Sequence, residues 1–180
     1  VFPGTQAAFW RRVPFPGVIG NERLRICSQV YHRGMTPPTE PGNVVVHGSA
    51  TGFAQTILAG RHALAAGEPT TTGGTDTGPN PYDLFLAALG SCTSMTLALY
   101  ARRKNWPLEA VTVRLRHSKV HAADCEASET KEGWLDHVER EVELTGSLSE
   151  EQRGRLLDIA NKCPVHKTLT SEIHIETRLA

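Results

Sequence analysis

The chain has 180 residues, its 19 Lys and Arg balance 19 Asp and Glu for a formal net charge of zero, and 39% of it is apolar. That length suits a single core burying roughly 70% of the unfolded surface, which folds without disulfide staples. Balanced charge argues against a nucleic-acid footprint or an anionic membrane surface, leaving a small molecule or a second copy of the chain as the expected partner.

Residues 1–43 read as an irregular N-terminal extension and 44–180 as the folded domain. Pro3, Pro14 and Pro16 interrupt the extension, no sustained period of 2 or 3.6 runs through its first 34 residues, and Met35 is a candidate natural start. It has no continuous apolar segment of the ~7–15 residues a signal peptide needs. Three short apolar runs then predict strands at 44–47, 53–58 and 61–65, punctuated by Gly48, Gly52 and Gly60. A turn-rich loop from Gly67 to Pro79 leads to a helix start at Asn80, where Asn80 caps, Pro81 suits the first position and Asp83 puts negative charge in the first turn. The helix is expected to run to about Arg103, apolar nearly all round, as a long buried central helix. Gly90, Ser91, Thr93, Ser94 and Thr96 interrupt its apolar run, which therefore falls short of the ~20 apolar residues that span a bilayer. A soluble protein with no membrane partner is expected.

Val111, Val113 and Leu115 alternate with polar residues, as do Val138, Val142 and Leu144, predicting a long hairpin with one wet face. Its connection runs from His117 to Gly133. Ser149 with Gln152 is a capping-box pattern for a helix presenting Leu156, Leu157, Ile159 and Ala160. Pro164 ends that segment and opens a second short helix through Leu169. Ile173 and Ile175 alternate with His174 and Glu176 in an expected final strand. The elements give an α+β fold of order β-β-α-β-β-α-α-β.

Cys92, inside Leu89-Gly90-Ser91-Cys92-Thr93, and Cys163, in Asn161-Lys162-Cys163-Pro164-Val165-His166, each end or interrupt a helical pattern among small or polar neighbours. That suits two sulfurs facing one cavity and thiol redox chemistry. Four cysteines, at 27, 92, 125 and 163, are too sparse for a secreted disulfide framework and favour a reducing cytoplasm. The bland alternative is a pair of inert buried thiols, since free cysteine is among the most buried residue types. Cys27 carries no assigned role.

The run Gly73-Gly74-Thr75-Asp76-Thr77-Gly78-Pro79-Asn80-Pro81-Tyr82-Asp83-Leu84, with Leu89 to Thr93 and Cys163-Pro164-Val165-His166 some 70 residues later, resembles the OsmC/Ohr family of osmotically inducible and organic hydroperoxide resistance proteins. The subgroup it resembles is the OsmC-like redox proteins, some of them fused behind an α/β-hydrolase domain; residues 1–34 hold no Gly-x-Ser-x-Gly elbow. The resemblance implies an intertwined homodimer that reduces organic hydroperoxides or hydrogen peroxide, with Cys92 as the peroxidatic and Cys163 as the resolving cysteine. It implies no cofactor and no metal, only an external dithiol reductant. An unperturbed thiol, pKa near ~8.5, is only a few per cent thiolate at neutral pH. Cys92, mid-helix, is too far from the helix N-terminus to use its dipole, so a cation or a hydrogen-bond donor must activate it.

The chain departs from the peroxidase pattern at Tyr82, which occupies the slot of a family glutamate that partners an arginine. Glu68 is a substitute carboxylate and Arg61 or His62 a substitute cation, with strand-edge or solvated surface as the alternative for each. His117, His121 and Cys125 share a four-residue spacing that would suggest a metal only on a helix, and His166 is a candidate pocket hydrogen-bonder. Two further readings stay open beside the peroxidase: a non-catalytic dimeric small-molecule binding or redox-sensing protein on the same fold, and a detached accessory domain of a hydrolase.

Overall fold

The computed structural model describes residues 42–121 and 133–179. The expected N-terminal extension with Cys27 and Met35, and Cys125 with most of the hairpin connection, lie outside these residues. The chain divides between Gly78 and Pro79 into two compact units.

The first unit is an antiparallel meander of three strands, β1 (Val44–Gly48), β2 (Gln55–Ala59) and β3 (His62–Ala66), in the order β1-β2-β3. Gly60 and Arg61 form a two-residue turn between the paired Ala59 and His62. Gly60 takes φ +55°, the left-handed conformation that such tight hairpins favour. Leu58 and Ala66 are buried, whereas Val44, Val46 and Leu64 are half or more exposed. All three early runs are strands, one more than the expected element order. A 3-10 turn at Thr70–Thr72 follows, closed by Gly73 in the left-handed region.

The second unit is built around α1 (Pro81–Arg103), a helix of 23 residues. Its start is a full capping box: the Asn80 side chain accepts from the Asp83 amide, and the Asp83 carboxylate accepts from the Asn80 amide. Asn105, at φ +53°, turns the chain beyond the C-cap Lys104 in the way an αL residue ends a helix. Two 12-residue strands, β4 (Ala110–His121) and β5 (Trp134–Thr145), pair antiparallel, with Val113 opposite Val142 and Leu115 opposite Arg140. Arg114 with Glu143 and Arg116 with Glu139 bridge the wet face; such exposed pairs add little stability. The Ser149–Gln152 capping box opens α2 (Glu150–Ala160), and Pro164 opens α3 (Pro164–Leu169). Helix α1 packs against β4, α2 and α3. The core is Leu97 and Ala101 of α1 against Leu148, Leu156, Ile159 and Ala160, flanked by Trp106, Val111, Val142 and Leu144.

Three expectations need correction. Helix α1 is not buried all round within one chain: it buries Leu89, Gly90, Thr93, Leu97 and Ala101, while Met95 is 69% and Leu99 45% exposed. One hairpin and two helices can cover only one stripe of a rod roughly 34 Å long. Second, α1 is long and apolar enough to cross a membrane by length and composition, with a mean hydropathy of 1.6 over the relevant window. The polar interruptions are hydroxyls and glycine, which lower hydropathy far less than charges do. In the fold this helix is the packed centre of an α+β unit. Third, residues 172–179 form no strand, and Ile173 and Ile175 are 51% and 80% exposed. Alternation supplies an apolar face, but a strand also needs an edge to pair with.

Candidate functional site

Cys92 and Cys163 meet at the first turn of α3. Cys92 lies mid-way along α1 and is half-buried, and Cys163, the N-cap of α3, has no exposed surface. Consecutive backbone amides reach the two sulfurs: Val165 N–H donates to Cys92 Sγ at 3.5 Å, and His166 N–H donates to Cys163 Sγ at 3.3 Å. Pro164 makes this possible locally, since its missing N–H and fixed φ let the helix begin directly after Cys163. The Val165 amide is thus the hydrogen-bond donor at Cys92 Sγ.

Two further side chains complete the cluster. Thr93, fully buried, stands 3.7 Å from Cys163 Sγ through its hydroxyl, which also donates to the Leu89 carbonyl at 2.8 Å. Arg140 of β5 donates to Thr93 Oγ1 at 3.0 Å, to the Ala160 carbonyl at 3.2 Å and to Asn161 Oδ1 at 2.7 Å. Burial pushes the Cys163 thiol up, but the His166 amide, the Thr93 hydroxyl, the Cys92 thiol and the Arg140 charge together outweigh it and hold Cys163 below the ordinary thiol range. The His166 imidazole is held below its usual value, first by burial and then by the Arg140 charge. Its backbone, not its ring, is what touches the cysteine pair.

Sequence reading missed Arg140. The signal was present: residues 138, 140, 142 and 144 share one face of a strand, and three of those four are Val138, Val142 and Leu144. An arginine on an apolar face asks for buried acceptors, and here it finds a hydroxyl and the C-terminal carbonyl of α2.

Arg61 sits in the β2–β3 turn, His62 begins β3, and the Glu68 carboxylate accepts from Thr72 Oγ1 at 3.5 Å; all three belong to the first unit. The Tyr82 ring stacks on His117, 4.5 Å between centroids and 15° between planes. His117 Nε2 lies 2.8 Å from Asp136 Oδ1, which Lys119 also approaches at 3.0 Å. The bonds to His117 and Lys119 hold the Asp136 carboxyl below its usual range. His121 meets Trp134 edge-on. His117 and His121 thus serve ring and carboxylate contacts on the hairpin, and no cluster of three metal-ligating side chains occurs among the described residues. On the other side of α1, Leu86, Gly90, Ser94 and Leu115 line an open groove of about 420 Å³.

The family model for OsmC-like proteins matches residues 74–178. The chain belongs to the OsmC-like family. Solved structures agree on the fold. An OsmC-like protein from Mycoplasma pneumoniae superposes with a TM-score of 0.58 at 17% identity, covering 73% of this chain and 89% of that one. An OsmC-like protein of unknown function from Vibrio cholerae gives 0.54 at 14% identity, covering 72% and 94%. An organic hydroperoxide resistance protein OsmC from Legionella pneumophila gives 0.52 at 22% identity, covering 71% and 88%. A comparison with curated proteins gives no match. The OsmC-like match takes in α1, the hairpin, both later helices and every member of the cysteine cluster.

Proposed function

We propose that this OsmC-like protein is a thiol-dependent peroxidase that reduces organic hydroperoxides, or hydrogen peroxide, through Cys92 and Cys163. The observation that carries the reading is the seating of both sulfurs on consecutive amides of one helical turn, with the more accessible sulfur on α1 and the buried one behind it. The Cys92 thiolate attacks the terminal oxygen of the hydroperoxide. The O–O bond breaks, an S–O bond forms, and the alkoxide leaves and takes up a proton as the alcohol; the two electrons come from sulfur, which becomes a sulfenic acid. The Cys163 thiolate then attacks the Cys92 sulfur, so that the S–S bond forms, the S–O bond breaks and hydroxide leaves to become water. An external dithiol restores the pair by exchange, taking the oxidising equivalent away as its own disulfide. The depressed Cys163 thiol suits the second step, because only a thiolate resolves a sulfenic acid quickly.

The working protein in this reading is a homodimer in a reducing cytoplasm. Met95 and Leu99, one turn apart on α1, are exposed apolar side chains, and a second copy is the partner whose chemistry matches them. A second reading, a binding or redox-sensing dimer without turnover, draws on Tyr82, whose ring is committed to His117 and supplies no carboxylate.

Mixing the reduced protein with stoichiometric cumene hydroperoxide and, separately, hydrogen peroxide tests the proposal, with free-thiol loss followed and the product mapped by non-reducing peptide mass spectrometry. Rapid formation of a Cys92 to Cys163 disulfide, abolished in Cys92→Ser, is expected. Thiols that persist for minutes under both oxidants sink the peroxidase and favour the binding protein.

A further inference from the structure

Thr93 is out of place by packing logic. It falls on the buried stripe Leu89, Thr93, Leu97 and Ala101 of α1, where an aliphatic residue would fill the space without a hydroxyl to satisfy. A hydroxyl has one proton and two lone pairs. Arg140 cannot accept a hydrogen bond, so it donates into the Thr93 oxygen and occupies one lone pair permanently. The other lone pair and the proton remain for the Leu89 carbonyl, which only accepts, and for Cys163 Sγ, which does either. Two arrangements follow. With Cys163 as a thiol, S–H donates to Thr93 and the Thr93 proton goes to Leu89. With Cys163 ionised, the hydroxyl proton swings to the sulfur, and the Leu89 carbonyl keeps its helical partner.

We propose that Thr93 and Arg140 are positioning residues for Cys163: Arg140 pins and polarises the Thr93 hydroxyl, and that hydroxyl donates to the buried sulfur whenever it is ionised. Arg140 is itself pinned from the other side by the Ala160 carbonyl and the Asn161 amide oxygen at the end of α2. The device thus couples the α2 C-terminus, β5 and α1 to one sulfur. The titratable and charged groups facing that sulfur are Cys92 of α1 and Arg140 of β5, while His166 of α3 reaches it through its backbone amide. The consequence for turnover rests on Cys163 being the resolving thiol; the consequence for its ionisation does not.

The test is a pH titration of the reduced full-length chain, labelled with 13Cβ-cysteine and followed by NMR without peroxide, with each resonance assigned by single Cys→Ser changes. Thr93→Val is expected to raise the Cys163 midpoint by about one pH unit, a tenfold fall in the thiolate-to-thiol ratio below the midpoint, and Thr93→Ser to restore it. Arg140→Lys keeps the charge but loses the fork that reaches Thr93 and Ala160 through Nη1 while Nη2 holds Asn161, so an intermediate rise is expected, which also guards against a Thr93 variant that fails to fold. At neutral pH, disulfide formation after a single peroxide pulse should slow in Thr93→Val, by at most about tenfold. A Cys163 midpoint moved by less than about 0.3 pH unit in either Thr93→Val or Arg140→Lys, or moved equally in Thr93→Ser, overturns the inference. Should the wild-type protein consume no peroxide, the peroxidase reading falls, and the titration still decides this one.

Discussion

Replacing Arg140 by methionine keeps the aliphatic stem and removes three donated hydrogen bonds, so its effect can be worked through acceptor by acceptor. Asn161 is exposed, and water replaces the lost 2.7 Å contact at little cost. Thr93 Oγ1 and the Ala160 carbonyl belong to fully buried residues. Both keep partners: Leu89 O at 2.8 Å and Cys163 Sγ at 3.7 Å for the former, and the Cys163 amide at a long 3.4 Å for the latter. A buried acceptor stripped of a donor costs about 1–3 kcal/mol, and partial compensation puts both sites at the lower end. The sum is about 2 kcal/mol, or a fall in Tm of roughly 4–8 °C for a chain of this size. Urea unfolding of reduced wild type and Arg140→Met, at equal protein concentration because association shifts apparent stability, should show a lower midpoint with an unchanged slope. A loss below about 0.5 kcal/mol would mean that Arg140 is held no better than a surface side chain, and the cluster described above would lose its anchor.

Other perturbations have equally definite directions. Gly146 sits at φ +132°, where an added Cβ would run into the Pro107 carbonyl. Gly146→Ala should therefore cost about 3 kcal/mol or more in chemical denaturation, combining backbone strain with disruption of the bond from Glu109 N–H to Thr145 O. His166 binds its proton less readily folded than unfolded. Stability should decline as pH falls below the unfolded value near ~6.5 and level off below the folded one; His166→Gln should flatten that decline in Tm measured across pH 7.5–5, taken as roughly spanning the window. Cys163 behaves as an acid made stronger by folding. The stability it contributes is fully present above the unfolded value near ~8.5 and is lost as pH falls through the folded value, and Cys163→Ser should abolish that rise in reduced protein. A Cys163→Ser curve parallel to wild type would contradict the assigned ionisation.

Local rules carried the chain a long way. Asn80 with Asp83, Ser149 with Gln152, and Pro164 after Cys163 fix helix starts through contacts within four residues, so they are readable without tertiary knowledge. The alternation through Val111, Val113 and Leu115 and through Val142 and Leu144 places the long hairpin for the same reason. The two cysteines were legible as a pair through their motifs. Tertiary structure alone decided what surrounds them. Val165 N–H reaches Cys92 across 73 positions and Arg140 reaches Thr93 across 47; hydrogen bonds of that span leave no periodic mark, because side-chain period reports only which face a residue occupies. The same limit explains the misplaced strand at Ile173 and Ile175 and the half-exposed α1. Apolar pattern says that a face will be covered, and only the packed chain says by what.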